Sequence, residues 1–284
     1  MTNNGAGQGG GWQQRGLEAR AALAETWQSL AEVCSHLSAT EWALATECPG
    51  WDVKDQVSHL IGIERALMGE PPPEWDGPVG PHVRNDFAVT NERWVAVRRN
   101  RGGAEVRAEF VEVTAGRLAA LEALSEEEWS QVGWSPMGEV PYALFMEVRV
   151  YDSWVHEQDA RRALGRAGGS GNRASALSLD RVQVAMPFVV GKKAGCADGT
   201  AVRFEIDGPG ADARAFTIAV DGGRARLVAD DVAPTTTLGL SSIDFVRLGC
   251  GRASDADVEA AGGLDVRGDS VVGRRVLASM NFMF

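Results

Sequence analysis

Asp152 and His156 are four residues apart in the segment YALFMEVRVYDSWVHEQDARRAL, a spacing that stacks both side chains on one face of a helix. Phe145, Val148 and Val155 share that face with Arg149 and Asp159, so it reads as an interior face interrupted by groups that can hold a ligand. A carboxylate placed there needs a cation, a donor or a metal, because an unpaired buried charge is costly. His59 borders the apolar stripe of Leu60, Ile63 and Leu67 and is one of only four histidines in the chain. Two imidazoles and one carboxylate suit Zn²⁺, with Ni²⁺ or Fe²⁺ as alternatives, and leave positions open for water or substrate. Without a metal, Asp152 and His156 read as a buried ion pair that bridges helices with Arg149, and His59 as a satisfied core histidine. Spacing alone leaves the metal site and the ion pair level.

These side chains need helices to carry them. Leu17, Ala21, Ala24, Trp27, Leu30, Ala31 and Cys34 recur at helical spacing between Trp12 and Leu37. The helix bearing His59 opens after the Pro49-Gly50 turn, with Asp52 as N-cap and Asp55 at N3, and it ends at Gly69 before three prolines. Further helical patterns cover 85–98 and 104–124, and a Ser125 cap opens SEEEW. Pro141 stands where the first helical position should be, and Gly165 where C′ should be, so they bracket the helix of Asp152 and His156. Residues 12–165 therefore predict an antiparallel helical bundle. Residues 1–11 read as a disordered Gly/Asn/Gln tail and 166–172 as a Gly-rich linker. From 173 to 284 the pattern changes to short strands at 201–207, 215–220, 224–229 and 235–240, with helical patterns at 241–249 and 269–280, giving a small α+β domain.

Length and charge narrow the function further. A chain of 284 residues is more than one core usually takes, which fits two domains. The net charge of −11, with no basic run, argues against nucleic acid or an anionic membrane surface as a partner. Cys34, Cys48, Cys196 and Cys250 are too scattered for a zinc knuckle or disulfide framework and read as reduced thiols. With neither a signal peptide nor a membrane-spanning run in sight, a cytoplasmic protein is expected, as monomer or homodimer.

Read as text, three stretches carry a resemblance. PGWDVKDQVSHL, RVYDSWVHEQDARRALG and the C-terminal LGCGRASDADVEAAGGLDVRGDSVVGRRVLASMNFMF occur in the order seen in the mycothiol-dependent maleylpyruvate isomerase family, which the chain resembles over nearly its whole length. The resemblance implies an all-α DinB-like four-helix bundle that binds a metal, followed by an α+β domain related to sterol-carrier proteins. It implies His59, Asp152 and His156 as metal ligands and mycothiol as thiol cosubstrate. Position 152 is a departure, because the isomerases typically have Glu there and Asp is one methylene shorter. Glu147 lies roughly 140° round the helix and is a poor substitute. Asp159, three residues after His156, is a candidate to orient that imidazole. The family uses a C-terminal arginine near the site, for which Arg252 of LGCGR and Arg267 of DVRGD are the two candidates. The expected function is thiol S-transfer to an electrophilic small molecule, with maleylpyruvate-type cis-trans isomerisation as the alternative. A rival of another class is a non-catalytic binding protein whose metal is structural.

Overall fold

In the computed structural model the described residues are 11–229 and 231–283, and they form a mixed helix-and-sheet structure. The expected tail lies outside the described residues except for Gly11, which already belongs to the first helix. Contacts divide the chain into two compact units, Met1–Gly169 and Ser170–Phe284.

The first unit contains α1 (Gly11–Val33), α2 (Ala39–Trp42), α3 (Val53–Leu67), α4 (Asp86–Ala96), α5 (Gly103–Glu122) and α6 (Glu126–Ser130). A hairpin, β1 (Val132–Ser135) and β2 (Gly138–Pro141), then leads into α7 (Tyr142–Ala163). The hairpin was not legible in the sequence, and it makes Pro141 the N-cap of α7 rather than its first helical residue. Gly165 follows α7 at φ 64°, the left-handed C′ position that its side-chain-free backbone tolerates. The long helices α1, α3, α5 and α7 pack around a common interior, α1 against α7 and α5, and α3 against α5 and α7. Leu23, Trp27, Leu30, Leu60, Ile61, Phe110, Leu121, Met146 and Trp154 fill that interior. Each contributes about 1.5–3 kcal/mol relative to exposure.

Two local devices hold α3 in place. The Asp52 side chain accepts from the Asp55 backbone N–H while the Asp55 side chain faces the Asp52 N–H, so the expected capping box is present. Gly62 lets α4 approach, since a Cβ there would lie 2.3 Å from Cβ of Trp94.

The second unit is a five-stranded sheet of order β5-β4-β3-β6-β7. Its strands are β3 (Ala201–Asp207), β4 (Arg214–Asp221), β5 (Arg224–Val228), β6 (Thr236–Ser241) and β7 (Leu264–Gly268). Only β3 and β6 pair in parallel; the other neighbours are antiparallel. The helices are α8 (Arg173–Phe188), α9 (Ser242–Gly249), α10 (Asp255–Ala260) and α11 (Ser270–Ala278). Phe204, Phe216 and Phe245 form the aromatic centre of this core, the first two stacked at 4.9 Å. α8 and β7 escaped the sequence reading. Ser175 and Ser178 face inward and interrupt the apolar period of α8, while β7 is a mostly exposed edge strand with few apolar residues to betray it. Among the described residues no helix is long and apolar enough to cross a membrane.

Candidate metal centre

His59 projects from the middle of α3, and Asp152 and His156 project from consecutive turns of α7, which packs against α3. One ligand atom from each lies within 4.8 Å of the others. His59 Nε2 is 3.4 Å from Asp152 Oδ2, and His156 Nε2 is 3.6 Å from Asp152 Oδ1. The shorter carboxylate therefore still reaches across to α3. Both imidazoles are buried, while the Asp152 side chain keeps 25% of its exposure.

The ion pair weighed from the sequence is present as well. Arg149 Nη1 donates to Asp152 Oδ2, and Arg149 Nε and Nη2 donate to Oε1 of the fully buried Glu64. Arg117 Nε donates to the other Glu64 oxygen at 3.0 Å. Burial alone would push the Asp152 carboxyl up, but Arg149 beside it, with the two histidines, holds it well below the usual carboxylate range. Asp152 is thus an anion fixed in place, with Oδ1 turned toward His156.

The expected satisfied core histidine is not found at His59. Both of its ring nitrogens are buried and neither has a hydrogen-bond partner. A buried polar atom left in that state costs about 1–3 kcal/mol. A ligand atom presented to a divalent cation is the arrangement that removes this cost, and the donor set of two imidazoles and an anion fits such a cation.

Trp51 roofs the cluster. Its ring lies 5.0 Å from that of His59 and 5.8 Å from that of His156, centroid to centroid. Its Nε1 donates to the buried Glu92, which also accepts from Arg99 and lies 3.4 Å from His82 Nε2. The Pro49-Gly50 turn puts Trp51 there. Gly50 adopts φ 81°, and a Cβ on it would lie 2.4 Å from the His82 ring.

Asp159 Oδ2 is 3.7 Å from His156 Nδ1, within ion-pair reach but beyond a hydrogen bond. The side chain in hydrogen-bond contact with that nitrogen is Gln56, which the sequence reading missed. Its signal was a glutamine one turn before His59, among the interior positions Val53, Val57 and Leu60. Glu64 was missed in the same way. Trp154 of α7 is buried and donates from Nε1 to the Gly169 carbonyl at 2.6 Å.

Residues 23–161 match the family model of the mycothiol maleylpyruvate isomerase N-terminal domain. The N-terminal unit of this chain belongs to that family. All three candidate ligands of this maleylpyruvate isomerase-type domain fall within the matched residues. The fold is similar to two crystal structures, of the mycothiol-dependent maleylpyruvate isomerase and of a mutant of it, with TM-scores of 0.53 and 0.52. Identity is 17% and 16%, over 90% of this chain and 92% of theirs. No curated protein sequence matches this one.

The two C-terminal arginines are in the second unit. Arg252 lies in the turn between α9 and α10, where its backbone N–H donates to the Arg247 carbonyl and its Nη1 to the Cys250 carbonyl. Arg267 is an exposed residue of β7 paired with Glu205 and Asp265. The four cysteines are free thiols, with Cys34, Cys196 and Cys250 buried.

Proposed function

We propose that this chain is a mycothiol-dependent enzyme in which His59, Asp152 and His156 hold a divalent cation, Zn²⁺ first and Ni²⁺ or Fe²⁺ as alternatives. The observation that carries the reading is His59, a buried histidine without a hydrogen bond, facing an anchored carboxylate and a second histidine. The charges of Arg117, Arg149, Glu64 and Asp152 cancel, so a divalent cation would supply uncompensated positive charge, which favours thiolate over thiol.

The chain's own residues do the rest. Arg149 keeps Asp152 ionised and pointed at the cluster, and Trp51 excludes water from the imidazole side. The partly exposed Asp152 side chain marks the side from which a thiol and a small electrophile would approach.

From the sequence alone, S-transfer stood first. The family match supports the isomerase alternative better, and it is placed first here. Thiolate addition to a conjugated double bond forms a C–S bond and leaves a single bond free to rotate. Reversal breaks the C–S bond, restores the double bond in the other geometry and returns the thiol. In S-transfer the C–S bond would persist.

The test is to quantify metal in the wild type and in His156→Ala, then incubate the metal-loaded protein with mycothiol and a panel of electrophiles. Isomerisation gives product of unchanged mass with no net thiol loss. A thioether product would return S-transfer to first place. Equal metal in the two proteins, with no thiol reaction accelerated, would leave the non-catalytic binding protein.

A further inference from the structure

Gln56 lies one turn before His59 on α3, fully buried, and its amide joins two residues that are distant in sequence. Oε1 faces His156 Nδ1 across the helix pair, and Nε2 is 2.6 Å from the Thr46 hydroxyl. Which end of a glutamine amide points where is set by its partners' donors and acceptors. Here Thr46 decides.

The Thr46 hydroxyl has one proton and two lone pairs. The Trp51 carbonyl is 2.9 Å from Thr46 Oγ1, and the Cys48 carbonyl is 3.5 Å away. Both are acceptors, so the hydroxyl proton is taken by a carbonyl. The Cys48 backbone N–H donates to the same oxygen at 3.2 Å, which occupies one lone pair. The remaining lone pair faces Gln56, so the Gln56 group there must be the NH₂. The reversed amide would pull the Thr46 proton away and set bare oxygens against each other. Its oxygen therefore points at His156, and a carbonyl oxygen accepts only from a protonated ring nitrogen.

Resting on the metal-centre reading above, we infer that Gln56 is a positioning residue which, oriented by Thr46, holds His156 as the Nδ1–H tautomer and so presents Nε2 as its ligand atom. Nε2 is the nitrogen that lies 3.6 Å from Asp152 Oδ1, on the side of the cluster where His59 also converges. In water the Nε2–H tautomer of neutral imidazole is the more populated one. Without Gln56, Nδ1 would lose its hydrogen-bond acceptor and face the Asp159 carboxylate at 3.7 Å, and the proton would shift toward the position a cation needs.

The decisive measurement is made first without metal, on chelator-treated full-length protein labelled with ¹⁵N-histidine. Long-range ¹H–¹⁵N spectra near neutral pH should show His156 with a protonated Nδ1 and a bare Nε2. Gln56→Met keeps the volume but has no acceptor, so the Nε2–H form should appear. Gln56→Glu retains an oxygen at the same place and should restore the Nδ1–H form. Thr46→Val, which frees the amide to turn over, should give a mixture. In a Co²⁺ titration followed by its visible d–d bands, Gln56→Met should weaken binding about 10- to 100-fold, with Gln56→Glu close to wild type. A wild-type His156 in the Nε2–H form overturns the inference, as does an unchanged tautomer in a folded Gln56→Met protein. If the tautomers behave as stated and the wild type takes up no Co²⁺, the metal reading fails while the role of Gln56 in setting the tautomer stands.

Discussion

Glu64 and His59 are five residues apart on one helix and comparably buried, yet they are treated in opposite ways. Glu64 receives Arg117 on one oxygen and Arg149 on the other. His59 has no hydrogen bond on either nitrogen, and only the Asp152 carboxylate faces it, 3.4 Å from Nε2. A third buried group on α3, Asp55, falls between them, with Oδ2 at 3.4 Å from the Arg99 guanidinium and Oδ1 without a partner. The difference separates polar groups that complete the fold from the one that carries the proposed ligand role. Satisfied buried charges belong to the architecture of α3, α5 and α7. A buried polar group left without a hydrogen bond calls for a reason, and at His59 the neighbouring Asp152 and His156 offer one.

The comparison can be broken most directly at Glu64. Glu64→Ala strands Arg117 and Arg149 without their shared anion, and a stability loss of about 3–5 kcal/mol is expected in urea denaturation. A loss under about 1 kcal/mol would mean that the cluster is not structural in the sense argued here.

Asp55 gives an effect of intermediate size with a definite sign. Burial, helped by neighbouring Asp52 and opposed by Arg99, pushes its carboxyl up to about 6. The folded protein then holds this proton more tightly than the unfolded chain. The group's stabilising contribution is complete below about pH 4 and is lost as pH rises through about 6. The amount is at most about 3 kcal/mol. Asp55→Asn keeps a carbonyl for the cap and should flatten the pH dependence of stability between about pH 4 and 6. An unchanged profile would place the proton elsewhere.

His59 should respond with the opposite sign from Glu64. His59→Leu removes an unsatisfied group, so the metal-free protein should gain on the order of 1 kcal/mol, while any rise in Tm on adding Zn²⁺ disappears. A loss comparable to that of Glu64→Ala would show that His59 is a structural residue after all.

The smallest effect belongs to the second unit, where Arg267 pairs with Glu205 and Asp265 at the surface. Solvent screening makes such pairs weak, and Arg267→Ala should shift thermal denaturation least of these variants. A larger change in thermal denaturation would give this exposed pair the weight assigned here only to the buried cluster.

Much of the site was legible because its signals are local. The capping box of Asp52 and Asp55 marks where α3 begins, and helical periodicity then places His59 beside Leu60 and Ile63. The four-residue step from Asp152 to His156 puts both on one face of α7. Those relations depend on backbone geometry within one element, which sequence spacing reports directly. The hairpin Val132–Pro141, α8 and β7 were not legible, because their stability comes from neighbours rather than from strong patterns of their own.

What the amino-acid sequence determined by itself is the succession of the long helices of the first unit and of strands β3 to β6, the change of character after the Gly-rich stretch, and the three side chains offered as ligands. Partners across the helix interface were decided only by the tertiary structure. Spacing offered Arg149 for an ion pair or the histidines for a metal, and the packed helices supply both at once, with Arg149 on Oδ2 of Asp152 and Oδ1 turned to His156. Spacing likewise nominated Asp159 for His156 Nδ1, but Gln56 reaches it from α3 while Asp159 stops at 3.7 Å. The reason is physical. Periodicity says which face a side chain occupies, whereas a hydrogen bond depends on tenths of an ångström set by how two helices pack.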